Sequence, residues 1–274
     1  MQTILPAIWF DQNAREAFDY YTSIFPSATI LHTTPVVTEA ELLGVRFIGI
    51  NGGPMFKPNP SISFMVICEN EQELDRLWTN LSGGGNTLMP LGSYPWSNRY
   101  GWLEDKYHVS WQLYLGDPKS TNQQRIVPVL MYCGPQQGNC HGALEWYGKL
   151  FKNFRQQGIL QYPEGMMKDQ VQHAQFVAED FTLMAMDSGV PQPYTFTEGI
   201  SLTILCKNQD DIDYYWDTIT LNGTESMCGW CKDAYGVSWQ IVPENIEQYM
   251  KTPAAVRTLM QMKKIIIRDL EQAV

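Results

Sequence analysis

The sequence predicts an α+β fold built twice from one module, and three internal echoes carry that prediction. A helical face, a strand followed by a helix, and a closing pair of strands each return in the second half, at offsets of 126, 138 and 128 residues. A repeat constrains the fold more than any single element does, because both copies must bury the same faces.

The first apolar run, Ile4 to Phe10, reads as a strand. Asn13 and Glu16 then have capping-box spacing, which predicts a helix over 14–25. Its face is Ala17, Phe18, Tyr21, Ile24 and Phe25, and the same spacing returns as Ala143, Leu144, Tyr147, Leu150 and Phe151. Strands are expected near 28–34 and 44–50. The run from Ser61 to Cys68 is rich in β-formers and apolar throughout, as is the run from Gly199 to Cys206. Each leads into a capped helix. Asn70 and Glu73 open a helix over 71–81 that buries Leu74, Leu77, Trp78 and Leu81. Asn208, Asp211, Ile212, Tyr215, Trp216 and Ile219 repeat that pattern. Gly83-Gly84-Gly85 ends the first of these helices and does not join a strand to a helix, so it has no phosphate-cradling geometry.

The clearest echo is the last. The segment Tyr100 to Gln112 matches Cys228 to Gln240, sharing Gly-Trp near the start and Val-Ser-Trp-Gln at the end. Strands are expected near 100–104 and 109–115, and Ala234-Tyr235-Gly236 reads as the hairpin turn of the second copy. Residues 1–116 and 126–243 are therefore expected to be the two domains, with 117–125 as a polar linker around Asp117-Pro118. Residues 244–274 form a tail. Thr252 caps a helix there with Pro253 in its first turn, and Ile265-Ile266-Ile267 reads as a short strand.

The opening Ile8-Trp9-Phe10-Asp11, with Glu16 to Tyr21 and Ile24-Phe25-Pro26, resembles the opening of the PhnB-like family. That family, often labelled 3-demethylubiquinone-9 3-methyltransferase-like, is a branch of the vicinal-oxygen-chelate, or glyoxalase, superfamily. The closing strands through Val237-Ser238-Trp239-Gln240-Ile241-Val242-Pro243, and the tail from Val256-Arg257 to Met262-Lys263-Lys264, are similar to the family's as well. The resemblance implies tandem glyoxalase-like domains, each of two βαβββ units whose mixed sheets curl around a cavity. It also implies a pseudo-dimer within one chain, with a further homodimer left open.

Metal-dependent members of the superfamily carry His or Glu on the first strand of each unit and Glu on the last. Here the matching places are Pro6 and Pro128, Ser63 or Phe64, Ser201 or Leu202, and Gln112 and Gln240. A proline side chain has no donor, and an amide brings one weak oxygen and no charge. No metal is expected at these places, and no cofactor elsewhere, since no segment looks like a nucleotide or S-adenosylmethionine loop. Gln112, Gln240, Ser63, Ser201, Trp102 and Trp230 are the candidate cavity-lining residues. Trp9, Trp78, Trp111, Trp216 and Trp239 are expected in the core. His32, His108, His141 and His173 have no counterparts in the other copy and are expected at the surface or in turns. Cys228 and Cys231 have redox spacing but enter a strand, where no helix end lowers a thiol pKa.

A net charge of −10 argues against nucleic acid as a partner. With 44% apolar residues the chain can bury a sizeable core. No apolar run approaches the roughly 18 residues of a membrane span, and Met1 to Pro6 lacks the basic start of a secretory leader. Six cysteines fit free thiols in a reducing cytoplasm better than a disulfide scaffold. Three functions follow as expectations. The first is small-molecule binding in a sheet-lined cavity without the usual metal. The second is a lyase, isomerase or dioxygenase with atypical groups, and the third is a scaffold with vestigial cavities.

Overall fold

A computed structural model of the chain describes residues 2–273. Four successive βαβββ units make up most of it. The first is β1 (Ile4–Phe10), α1 (Ala14–Ile24), β2 (Thr29–Thr33), β3 (Val37–Leu42) and β4 (Val45–Asn51). The second is β5 (Ile62–Cys68), α2 (Glu71–Leu81), β6 (Asn86–Tyr94), β7 (Ser97–Glu104) and β8 (Ser110–Leu115). A short 3-10 turn, Pro118–Thr121, leads to the third unit: β9 (Ile126–Tyr132), α3 (Cys140–Leu150), β10 (Arg155–Gln161), β11 (Val171–Ala178) and β12 (Phe181–Asp187). The fourth is β13 (Ile200–Cys206), α4 (Gln209–Thr220), β14 (Thr224–Glu225), β15 (Trp230–Lys232) and β16 (Ser238–Pro243). The tail carries α5 (Ile246–Tyr249), α6 (Pro253–Gln261) and α7 (Ile267–Glu271).

The units combine in an order that the repeat alone did not reveal. The first sheet runs β14-β15-β16-β13-β1-β4-β3-β2, and the second runs β10-β11-β12-β9-β5-β8-β7-β6. Each sheet thus takes one unit from each copy, joined by the antiparallel pairs β1–β13 and β5–β9. The two copies interlock within the chain, as a pseudo-dimer.

The expected curling does not occur. Both sheets are open, with free edges at β14 and β2 in one and at β10 and β6 in the other. Pairing stops at those edges, and the outer pairs β2–β3, β6–β7 and β10–β11 lose register at bulges.

One face of each sheet is the core. Phe47 of β4 and Phe64 of β5 meet edge to face with ring centroids 5.1 Å apart, joining the two sheets through their buried faces. Trp111, Trp216 and Trp239 are fully buried. Two glycines let helices approach closely: a Cβ on Gly49 would strike the Phe18 ring, and one on Gly101 the Trp78 ring.

Capping follows the sequence at three helices and departs from it at a fourth. Asn70 Oδ1 accepts from Glu73 N at 2.9 Å, and Asn208 Oδ1 accepts from Asp211 N at 2.9 Å. Asn13 makes no side-chain cap. Its place is taken from the end of β4, where Asn51 Oδ1 accepts from Ala14 N at 2.9 Å. Asp187 does the same for α3 from the end of β12, accepting from Cys140 N at 3.2 Å. In the tail, Thr252 caps α6 through Ala255 N. The short strand expected at 265–267 is instead an extended entry into α7, held by Ile267 N donating to Gln209 Oε1 at 2.8 Å and by burial of Ile265. No helix among the described residues is long and apolar enough to cross a membrane.

Candidate functional site

On β8, alternation sends Trp111 and Leu113 to the core and Ser110, Gln112 and Tyr114 to the opposite face. Register extends that face across the second sheet. Met65 sits opposite Gln112, Val129 opposite Ser63, and Met184 opposite Val129. A cavity of about 450 Å3 lies on it. Met65, Met89, Met184 and Met186 supply much of its lining, with Val127 and Val129 packed beneath Met65 and Met184. Trp96, Trp102, Tyr100, Tyr114 and Tyr162 add aromatic rings.

The polar groups of the lining are all neutral. Gln112 is nearly fully buried, donates from Nε2 to Ser63 Oγ at 2.8 Å, and accepts at Oε1 from Tyr100 OH at 2.7 Å. Both ends of the amide are therefore held. Trp102 Nε1 donates to Ser110 Oγ at 2.7 Å, which fixes the indole over the sheet. Burial pushes the Tyr100 phenol well above its ordinary range, so it stays a donor. Ser120, Thr121, Gln172 and Gln175 complete the polar lining with His173. Among the described lining residues there is no Asp, Glu, Lys or Arg.

His173 was expected at the surface or in a turn, but it lies on β11 and lines this cavity. Burial lowers its pKa, so the imidazole is neutral at pH 7. The other three histidines, on β2, in the β7–β8 turn and on α3, are exposed.

The equivalent face of the first sheet differs. Gln240 Nε2 donates to Ser201 Oγ at 2.9 Å, repeating the Gln112–Ser63 pair. The position that matches Tyr100 is Cys228, which brings no phenol. Trp230 packs edge to face against Trp9, with centroids 5.9 Å apart. Trp9, expected in the core, lies on this face instead. The six candidate residues thus fall into two matched sets, Ser63, Trp102 and Gln112 on the second sheet and Ser201, Trp230 and Gln240 on the first.

The expected metal positions do not form a ligand set. Pro6 registers opposite Leu202 and Pro128 opposite Phe64, which puts both prolines on the core-facing side, away from the glutamines. Leu5, Ala7, Val127 and Val129 occupy the cavity-facing places of the first strands, and none of them has a side-chain donor atom. Among the described residues no three His, Cys, Asp or Glu side chains group as metal ligands. The donors present do not fit a divalent ion. Cys228 and Cys231 are free, and burial raises both thiols above the ordinary value.

Three buried carboxylates escaped the sequence reading: Asp187, which caps α3, and a matched pair at the closing hairpins. Asp105 Oδ2 accepts from Tyr21 OH at 2.7 Å and Trp111 Nε1 at 2.9 Å, and Oδ1 from Tyr107 N and Val109 N. Asp233 repeats this with Tyr147 OH at 3.0 Å, Trp239 Nε1 at 2.9 Å, Tyr235 N and Val237 N. Each ties the first helix of its copy to the closing hairpin, away from the cavity. Burial outweighs those hydrogen bonds and pushes Asp233 up to about 6.

A family model described as 3-demethylubiquinone-9 3-methyltransferase matches residues 2–114 and again residues 124–242. Among solved structures, the PhnB protein from Bacillus cereus is 37% identical over 42% of this chain and 100% of its own, with a TM-score of 0.40. A protein from Staphylococcus aureus is 26% identical over 43% of this chain and 98% of its own, with a TM-score of 0.20. Glyoxalase I from Zea mays shares the fold alone, at 12% identity over 89% of this chain and 92% of that one, with a TM-score of 0.56. No curated protein matches the chain. Matched twice along nearly its whole length and built of four βαβββ units, the chain belongs to the 3-demethylubiquinone-9 3-methyltransferase family.

Proposed function

We propose that the chain binds an uncharged, largely apolar small molecule in the cavity of the second sheet, without a divalent metal. The observation that carries this reading is the lining: a space of about 450 Å3 walled by methionines and aromatic rings, with neutral polar groups only. That volume suits a small ligand. A charged ligand would lose its hydration there and find no counter-charge. Thioethers adapt to flat ligands and make favourable contacts with aromatic rings. Neutral His173 supplies one donor and one acceptor to orient a polar group.

A matched pair of probes tests this. 2-Naphthol is expected to raise the melting temperature, and 2-naphthoate, the same ring system with a charge, is not. Equal shifts from both, or none from any neutral aromatic probe, would overturn the reading, and the second result would favour a scaffold with vestigial cavities.

A second reading, catalysis by atypical groups, draws on His173 alone. A neutral imidazole in a cavity is suited to general base work. Under that reading His173→Gln keeps ligand affinity and loses turnover of whatever neutral compound the cavity accepts. Turnover that survives the substitution would remove His173 from the chemistry.

A further inference from the structure

The duplication should have produced two equivalent sites, one on each sheet, yet the two faces are built differently. We propose that the first sheet's site is closed by Trp9, so that the chain binds one ligand rather than two; this rests on the reading of the second-sheet cavity given above.

The closure is visible in pairs of equivalent residues. Trp9 on β1 occupies the place that Met131 holds on β9. Register puts Trp9 on the same face as Gln240, since Ala7 pairs with Ser201, Leu5 with Thr203, and Thr203 with Gln240. Its indole is held from three sides. Nε1 donates to Gly53 O at 2.7 Å, Phe56 meets the ring edge to face at 5.0 Å, and Trp230 does so at 5.9 Å.

The seat for that indole exists in one copy only. A Cβ on Gly52 would run into the Trp9 ring. Gly52 N donates to Phe10 O, and in the other copy Ser188 N donates to Tyr132 O in the same way. The equivalent of Gly52 is therefore Ser188, which carries the Cβ that excludes such a ring. Tryptophan with glycine in one copy thus corresponds to methionine with serine in the other.

The consequence reaches the polar groups below. On the second sheet Trp102 donates to Ser110 Oγ. On the first, Trp230 is turned against Trp9, and the equivalent hydroxyl, Ser238 Oγ, is buried with no partner among the described residues. Thr203 Oγ1 is likewise buried and unpartnered. Thr203 stands where Met65 lines the open cavity, and only 1% of it is exposed. The Gln240–Ser201 pair persists on this face, but two of its hydroxyls are buried without partners.

Stoichiometry tests this, with N-phenyl-1-naphthylamine, an uncharged fluorescent probe, and the full-length chain. Wild type is expected to bind one probe per chain, and Met184→Trp, which fills the second-sheet cavity, to bind none. Trp9→Met with Phe56→Ala is expected to bind two. Should that double variant fail to fold, the Met184→Trp result decides alone. One probe retained by Met184→Trp, two bound by wild type, or only one bound by a folded double variant would overturn the closure by Trp9. If wild type binds no probe, the reading of the second-sheet cavity fails, and the inference built on it fails too.

Discussion

Tyr100 donates its phenol proton to Gln112 Oε1 at 2.7 Å, on the strand face that lines the second-sheet cavity. The same glutamine is held at its other end by Ser63, so its amide is oriented before any ligand arrives. Removing the phenol oxygen leaves a buried acceptor without its donor. Tyr100→Phe is therefore expected to cost about 1–3 kcal/mol of stability and to weaken binding of a neutral probe. Chemical denaturation and probe titration measure the two effects. A variant as stable as wild type would show that Gln112 finds another partner.

The aspartates that tie helix to hairpin give a second test. Asn in place of Asp233 turns an NH2 group toward donors that need an acceptor. Asp233→Asn is expected to cost about 1.5–3 kcal/mol, in the range of hydrogen bonds to a charged group. Asp105→Asn should do the same in the other copy. The pH dependence has a definite sign. The folded pKa of Asp233, about 6, lies above its ordinary value, so its contribution to stability is complete below pH 4 or so and is lost as pH rises through about 6. A carbon-detected NMR titration of the Asp233 carboxyl checks this, and a midpoint at the ordinary value would contradict it.

His173 has the opposite dependence. Burial lowers its folded pKa below the unfolded value of 6.5, so the unfolded chain takes up a proton first as pH falls. Its contribution to stability is complete above pH 6.5 and is lost as pH falls through the folded pKa. Denaturation midpoints from pH 7.5 to 5 are expected to fall less in His173→Gln than in wild type. Parallel curves would place His173 in a solvated environment.

Close approach of a helix to a strand is the fourth point. Gly101 leaves room for the Trp78 ring, which a Cβ would strike. Gly101→Ala is expected to cost about 1–3 kcal/mol through overpacking, although alanine is the better strand residue. Urea denaturation measures it, and a neutral result would mean that α2 shifts without penalty.

The repeat made most of this architecture legible. Equal spacing from Ala17 to Phe25 and from Ala143 to Phe151 reported the first helix of each copy, and Tyr100–Gln112 against Cys228–Gln240 set the register of the closing strands. Ser63 and Gln112 were legible separately, and so were Ser201 and Gln240; the hydrogen bond within each pair was not, because it depends on which strands become neighbours. The sharing of sheets between copies was hidden for the same reason, since β1 pairs with β13 across a gap of 200 residues at Ile4 and Ile204. Asp105 and Asp233 were within reach, because both stand at the same place in the echo. His173 was not, because its counterpart in the other copy is not a histidine and only the packing of β11 turns it toward the cavity. The capping box expected at Asn13 does not form, because Asn51 at the end of β4 holds the first helical N–H, that of Ala14, from another element.

The central claim, an uncharged ligand in the second-sheet cavity, is tested most directly by the methionine methyl groups that line it. In a spectrum of methyl-labelled protein, addition of 2-naphthol is expected to shift the signals of Met65, Met89, Met184 and Met186, leaving exposed Met55 and Met260 in place. Unchanged cavity methyls, or shifts confined to the exposed methionines, would contradict it.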